Sequence, residues 1–220
     1  MKYVICIPCG RRRFLELLMP HVIESNLADE IHLWYNPRNQ EDADYIRNEM
    51  RLMDDRCKVV ERPNNQKPVW SIAEFHAIEN DPNTVYLKVD DDDVWFENGA
   101  MDKIFRFRVE HPEYFVVSPL IINNGYCAYM LRDVLPLAQH EKNFLEIESK
   151  SADINSVMWY KSGESAIKTH NFFLNNVNNL DLFRVPNAEI SHIRFSINAI
   201  SWFGIDHKMI PTRFVNCNDE

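Results

Sequence analysis

Four consecutive aspartates, Asp90 to Asp93, directly follow the apolar run 85–89 and directly precede a second one at 94–96. Like charges about 4 Å apart repel by about 1 kcal/mol in water and by several times that where water is partly excluded. A divalent cation would offset the repulsion, and hard carboxylate oxygens suit Mg²⁺, Mn²⁺ or Ca²⁺. In extended chain, residues i and i+2 point the same way, so we expect Asp90 and Asp92 to face one ion. The alternative, a solvated acidic turn, is disfavoured by the apolar segments on both sides.

Other polar groups follow two further apolar runs. Gly10 and three arginines, Arg11 to Arg13, come after residues 3–7, and Asn36 ends the run 30–35. Cations at the start of a helix oppose the helix dipole, and a bound phosphate would reverse this penalty. The arginines therefore indicate either an anion site or long side chains that extend into solvent.

The elements that position these groups alternate. Strand and helix patterns follow one another four times in the first ninety residues, which is typical of βαβ units and a parallel, doubly wound sheet. Ligands of such sheets bind at the carboxyl ends of the strands, so we expect these polar groups to converge on one crevice. Beyond residue 97 the alternation loosens. Residues 131–150 show no clear pattern, and residues 190–202 read as a strand with one polar face.

Composition excludes several classes of protein. A hydrophobic fraction of 45% indicates a folded globular chain, and a net charge of −9 argues against a nucleic-acid partner. No apolar run is long enough to span a bilayer, and the N-terminal one is too short for a signal peptide, so we expect a soluble, cytoplasmic protein. Cys6 and Cys9 have the C-x-x-C spacing, but Cys6 falls inside a strand and is expected to be a packed core residue.

Three segments, 7–13, 33–37 and 86–96, together resemble nucleotide-sugar glycosyltransferases of the GT-A fold. The nearest resemblance is to small glycosyltransferases encoded by large DNA viruses of algae, and it covers most of the chain, including residues 117–124, 194–198 and 202–206. It implies one Rossmann-like α/β domain over residues 1–220. Residues 1–96 would form a nucleotide-binding half, and residues 97–220 a mixed, acceptor-side half.

The resemblance also implies an activity. Proteins of this family move a sugar, as hexosyltransferases do, from a nucleoside-diphosphate sugar such as a UDP-sugar to a glycan or glycoprotein acceptor. Mn²⁺ or Mg²⁺ bridges the diphosphate. The metal would bind chiefly Asp92, and Asp90 or Asp91 would reach the ribose or a metal-bound water. Asp93 stands where such proteins often carry an apolar residue, so the register of the motif stays open by one residue.

The remaining site residues are expectations from the same resemblance. Gly10, Arg11 and Asn36 would contact the nucleotide. Arg13 and Lys67, with Arg11, lie on loops expected to border the same crevice, where basic groups can share the charge of the leaving diphosphate. A third metal ligand would come late in the chain. The candidates for that ligand are His192 and His207. The candidates for the base that activates the acceptor are Asp206, Asp153 and Glu164.

Two other classes of protein fit part of the pattern. Asp90, Asp92 and Val94 satisfy the D-x-D-x-V form of haloacid-dehalogenase-type phosphatases, but that motif normally lies on the first strand of its domain. A non-catalytic Ca²⁺- or carbohydrate-binding module is the third class. The acidic run lacks the glycine that an EF-hand loop requires at its sixth position.

Overall fold

The structure is a computed structural model that describes residues 1–61, 72–122, 124–149, 163–189 and 196–209. The chain divides into two compact units, one formed by Met1–Pro119 with Asn198–Glu220 and one by Leu120–Ile197. This division differs from the expected boundary after residue 96, and the assignment of nucleotide and acceptor sides stays a prediction.

One sheet organises the first unit. Within the described residues its strands are β1 (Lys2–Cys9), β2 (Glu30–Tyr35), β3 (Cys57–Val60), β4 (Thr84–Val89) and β5 (Ala199–Phe203). Their order is β3-β2-β1-β4-β5, with β5 antiparallel to β4 and all other pairs parallel. The helices of this unit are α1 (Arg12–Ile23), α2 (Gln40–Asn48), α3 (Ile72–Ile78) and α4 (Ala100–Glu110). The predicted α/β class, a mostly parallel Rossmann-like sheet flanked by helices, is confirmed.

The strand order creates a switch point between β1 and β4. The chain adds β2 and β3 on one side of β1 and then returns to place β4 on the other side. Connections from two neighbouring strands therefore leave in opposite directions, which opens a crevice at their carboxyl ends. Gly10 and Asp90 are the first residues after these two strands.

The apolar run of β1 is explained by its central position, because both of its faces are covered. Ile5 and Ile7 point to the face on which α1 packs, and both are fully buried. The opposite face carries an aromatic layer, in which Trp34 stacks on Phe75 with ring centroids 5.1 Å apart. His76 packs against this layer, with its ring centroid 5.0 Å from that of Trp34.

Strand β5 is shorter than the pattern predicted, since it begins at Ala199 and not near residue 190. Residues 190–195 lie outside the described part of the chain. A 3-10 helix, Gly204–Met209, follows β5 directly. A Cβ on Gly204 would lie 2.0 Å from the carbonyl oxygen of Asp81, so only glycine allows the chain to pass the loop before β4.

The second unit is helical in its described part. It contains α5 (Gly125–Met130), α6 (Gln139–Ser149) and α7 (Gly163–Asn175) around a core of leucines with Ala128 and Phe183. The expectation of irregular chain over residues 131–150 was wrong, because α6 occupies half of that range. None of the helices in the described ranges is both long enough and apolar enough to cross a membrane.

Candidate functional site

The carboxyl ends of β1 and β4 meet through Gly10 and Asp91. The backbone N–H of Gly10 donates to Oδ2 of Asp91 at 3.1 Å. A Cβ at Gly10 would lie 3.2 Å from the same oxygen and 3.3 Å from the carbonyl oxygen of Asn36. Three strand ends, those of β1, β2 and β4, therefore converge around a residue with no side chain. The predicted convergence of Gly10, Asn36 and Asp91 is present.

Arg11 bridges two neighbouring carboxylates of the acidic run. Its guanidinium donates to Asp91 and forms an ion pair with Oδ2 of Asp92 at 3.0 Å. Hydrogen bonding to Asp91 raises the pKa of Arg11, so the pair is charge-assisted. Asp92 is the more exposed partner, with 40% of its side chain accessible, whereas Asp91 is buried.

The expected alternation along the motif ends at Asp90. The N–H of Asp93 donates to the carbonyl oxygen of Asp90 at 3.2 Å, so the four aspartates form a turn and not an extended strand. Adjacent residues, Asp91 and Asp92, consequently share one cation. The expectation that the run continues as extended chain was wrong, whereas the expectation that Asp90 and Asp92 face one ion stays a prediction.

Lys88 holds the first aspartate of the run. It lies in β4, is buried, and forms an ion pair with Asp90, two residues further along the same face of the strand. The backbone N–H of Asp90 donates to the carbonyl oxygen of Asn198 at 2.8 Å. Burial raises the pKa of Asp90, and the charge of Lys88 acts against this effect. A lysine in an otherwise apolar strand was the sequence signal for this contact.

Asp93 provides a test of whether a cation fits the site. Its Oδ2 is enclosed and has no hydrogen-bond partner among the described residues. Burial, followed by the charges of Asp90 and Asp92, raises the pKa of Asp93 to about 8. Four carboxylates thus face two cationic side chains, Arg11 and Lys88, and a carboxylate oxygen remains unpaired. Carboxylate oxygens are hard anionic donors of the type that Mg²⁺ and Mn²⁺ prefer. In the described part of the chain, however, the group of three potential ligands that lie close enough to share one ion is Cys6, His32 and Glu79, and the acidic run forms no such group.

Asn36 has a second enclosed oxygen at the same end of the strands. Its Oδ1 has no hydrogen-bond partner among the described residues, although the side chain is buried at the end of β2. Its backbone N–H donates to the carbonyl oxygen of Cys9 at 3.1 Å. An enclosed acceptor without a partner is costly, so a hydrogen-bond donor that reached this oxygen would recover part of that cost.

Exposed arginines surround this edge. The guanidinium carbon atoms of Arg11 and Arg13 lie 4.7 Å and 4.5 Å from the centroid of the Phe14 ring, and Arg13 is exposed to solvent. Arg38 was missed from the sequence. Its N–H donates to the carbonyl oxygen of Gly10 at 3.1 Å, and its Nε would lie 3.4 Å from a Cβ on Gly10. Its position two residues after Asn36 was the available signal.

Asp206 is not part of this group of residues. Strand β5 is antiparallel to β4, with Val89 opposite Ala199 and Val85 opposite Phe203. The last residue of β5 therefore lies beside the start of β4, at the opposite end of the strands from the acidic run. Asp206 forms an ion pair there with the buried Arg108 at 3.2 Å. Asp206 was expected to be a candidate base for the acceptor, and its position away from the acidic run does not support that role beside a metal there. The direction of β5, which decides this position, could not be read from its pattern.

Other predicted residues are not placed at the crevice. Lys67, Asp153 and His192 lie outside the described part of the chain, as does the side chain of His207. Glu164 lies on α7 of the second unit, where its exposed carboxylate pairs with Lys168 at 3.2 Å. The roles given to these residues stay predictions.

The fold and the site together define a class, that of α/β proteins with a mostly parallel sheet, and in this chain acidic and basic side chains meet at the switch point between β1 and β4. No protein-family model matches this sequence, and no curated protein matches it either.

Proposed function

We propose that the protein is a metal-dependent glycosyltransferase. It would move a sugar from a nucleoside-diphosphate sugar, with UDP-sugars as the first candidates, to a glycan or glycoprotein acceptor. The observation that supports this proposal is the contact of Arg11 with Asp91 and Asp92 at the β1–β4 switch point. Acidic groups for a metal and basic groups for phosphate meet there at the place where such sheets bind ligands.

The acidic run would hold the metal. Asp92 is accessible to solvent although it pairs with Arg11, and Asp93 has an enclosed oxygen without a partner, so these two are the candidate ligands. Asp90 stays anchored by Lys88. A bound Mn²⁺ or Mg²⁺ supplies a positive charge that stabilises the diphosphate leaving group. Mg²⁺ and Mn²⁺ sites of this kind combine one or two carboxylates with substrate phosphates.

Arg11 would change partners when substrate arrives. Its guanidinium now neutralises Asp91 and Asp92, and a metal on these carboxylates would free it to contact phosphate oxygens. Arg13 and Arg38 would add charge at the same edge. Arginine suits this role because its planar fork binds phosphate oxygens in pairs.

The nucleoside would lie across Gly10 and Asn36. Gly10 lets Asp91 and the backbone of Asn36 approach closely, and the enclosed Oδ1 of Asn36 would accept a hydrogen bond from the nucleoside if binding uncovers it. The acceptor side stays open, with Asp153 as the candidate base and His192 as the candidate third ligand. A cytoplasmic location and a viral origin are further parts of the proposal.

Turnover of a donor panel tests the proposal. Purified protein is incubated with UDP- and GDP-sugars, with Mn²⁺ or with a chelator, and the products are observed by NMR. Mn²⁺-dependent release of the nucleoside diphosphate from one donor is the expected result. A phospho-aspartate trapped at Asp90 would instead support the phosphatase, and Ca²⁺ binding without nucleotide would support a binding module.

A further inference from the structure

A second group of potential metal ligands lies on one face of the sheet and not at the carboxyl ends of its strands. Cys6 on β1 is the register partner of His32 on β2, and Glu79 follows α3 on the same face. One donor atom from each, a thiol sulfur, an imidazole nitrogen and a carboxylate oxygen, lies within 4.8 Å of the other two. Cys6 and Glu79 are buried, and His32 is partly buried. Cys9 points to the opposite face, so the C-x-x-C spacing is not what forms this group.

The surroundings already orient each ligand. Nδ1 of His32 lies 2.6 Å from Oε1 of Glu79, so this nitrogen faces the centre of the group. The other ring nitrogen, Nε2, lies 2.8 Å from a carboxylate oxygen of Glu30. The indole N–H of Trp34 donates to Glu79 at 3.0 Å. In zinc sites the ligating histidine almost always bonds a carboxylate or carbonyl through its second nitrogen, and ligating carboxylates are themselves hydrogen-bonded.

We propose that Cys6, His32 and Glu79 form a zinc site, with His32 coordinating through Nδ1 and a water in the fourth position. Thiolate, imidazole and carboxylate are the ligand types that Zn²⁺ prefers. Donor atoms of a tetrahedral zinc lie ~3.3–3.8 Å apart, so binding widens the contact between His32 and Glu79 and closes the longest separation by about 1 Å. The thiol proton and the proton between His32 and Glu79 leave to solvent as Zn²⁺ binds.

The competing arrangement holds protons in place of the metal. A protonated His32 between two carboxylates would satisfy Glu30 and Glu79 without any ion. Cys6 would then be an ordinary buried thiol. The two arrangements differ in one observable, since only the zinc site forms a bond between a metal and the sulfur of Cys6.

Cobalt substitution detects a bond between the metal and the sulfur of Cys6 directly. The full chain is stripped with a chelator and titrated with Co²⁺, and the thiolate-to-cobalt charge-transfer band is followed in the near ultraviolet. We expect the band to rise to a plateau as Co²⁺ is added and to disappear when Zn²⁺ is added. The oxygen ligands at Asp90 to Asp93 cannot give this band, so binding there does not interfere. Its absence from the wild-type protein would overturn the proposal in favour of the proton-held network.

Matched variants locate the bond. Cys6→Ser should lose the band, whereas Cys57→Ser, at another buried free cysteine, should keep it. Glu30→Gln retains all three ligands and should weaken Co²⁺ binding by about 10- to 100-fold, which decides the matter if Cys6→Ser does not fold. A band that survives in Cys6→Ser, or unchanged affinity in Glu30→Gln, would contradict the site as proposed.

Discussion

At the scale of single residues, the acidic run has more carboxylates than the described cationic side chains can neutralise. Arg11 forms ion pairs with Asp91 and Asp92, and Lys88 forms one with Asp90. Asp93 has an enclosed oxygen with no hydrogen-bond partner among the described residues. Burying carboxylates in this way is costly unless their charge is compensated. A proton on Asp93, whose pKa is raised to about 8, or a divalent cation would compensate the charge, and the cation leads to two predictions.

Asp92→Asn should abolish Mn²⁺-dependent hydrolysis of the donor sugar while leaving the fold intact. The substitution removes the most accessible charged ligand but keeps the shape of an exposed side chain, so the free energy of unfolding should change by less than about 0.5 kcal/mol. Activity and thermal unfolding are measured together, with the exposed Asp55→Asn as the control. Full activity in Asp92→Asn would refute the metal assignment.

Arg11→Ala should move two affinities in opposite directions. UDP binding should weaken by about 10- to 100-fold, because a charge-assisted phosphate contact is lost, while uridine binding should change little. Mn²⁺ binding without nucleotide should become tighter, because Asp91 and Asp92 lose their competing cation. Calorimetric titrations give all three values, and Arg184→Ala in the second unit serves as the control. Equal losses for UDP and uridine would remove the phosphate role.

At the scale of secondary-structure elements, the ends of the strands position the candidate site, and ion pairs between side chains connect neighbouring strands. Glu30, at the start of β2, binds Lys2 of β1 and Lys58 of β3 and also contacts His32. One carboxylate thus connects three adjacent parallel strands. Burial alone would raise the pKa of Glu30, but these hydrogen bonds outweigh it and lower the pKa to about 2.

Glu30→Gln should therefore lower stability in a pH-dependent way. The folded pKa of Glu30 lies below its usual value of 4.5, so the stabilisation is complete above pH 4.5 and is lost as the pH falls towards 2. We expect a difference of about 1–2 kcal/mol at pH 7, allowing for the exposure of both lysines. Denaturant unfolding with a chelator present measures it, and exposed Glu110→Gln is the control. A difference that does not shrink between pH 4.5 and pH 2 would contradict this explanation.

Gly10→Ala tests the convergence of the strand ends. The new methyl group would press against Asp91 and the backbone of Asn36, so stability should fall by about 1 kcal/mol. Displacement of Asp91 and Arg11 should also weaken UDP binding in Mn²⁺, by about fivefold. Gly163→Ala, where a Cβ meets no atom within 4 Å, should change neither quantity. Unchanged UDP affinity in Gly10→Ala would place the nucleotide elsewhere.

At the scale of the whole molecule, the sequence was informative where structure is local. The apolar runs of β1, β2 and β4 and their polar ends predicted a parallel sheet and the meeting of Gly10, Asn36 and Asp91. Strand direction is a long-range property, and for this reason the separation of Asp206 from the acidic run was not visible in the sequence. The ion pairs of Arg11 with the adjacent Asp91 and Asp92 depend on a turn, and a run of four identical residues gives no pattern from which that turn could be predicted. The pairing of Cys6 with His32 depends on strand register and was not visible either.

The central claim is that the acidic run at the β1–β4 switch point holds a metal ion against the diphosphate of a sugar nucleotide. Crystals grown with Mn²⁺ and UDP test it most directly, because anomalous scattering locates manganese without assumptions about the site. We expect one manganese peak bonded to Asp92 and to the diphosphate, with Arg11 turned towards a phosphate oxygen. Manganese found elsewhere, or UDP bound away from Gly10 and Asn36, would contradict the claim.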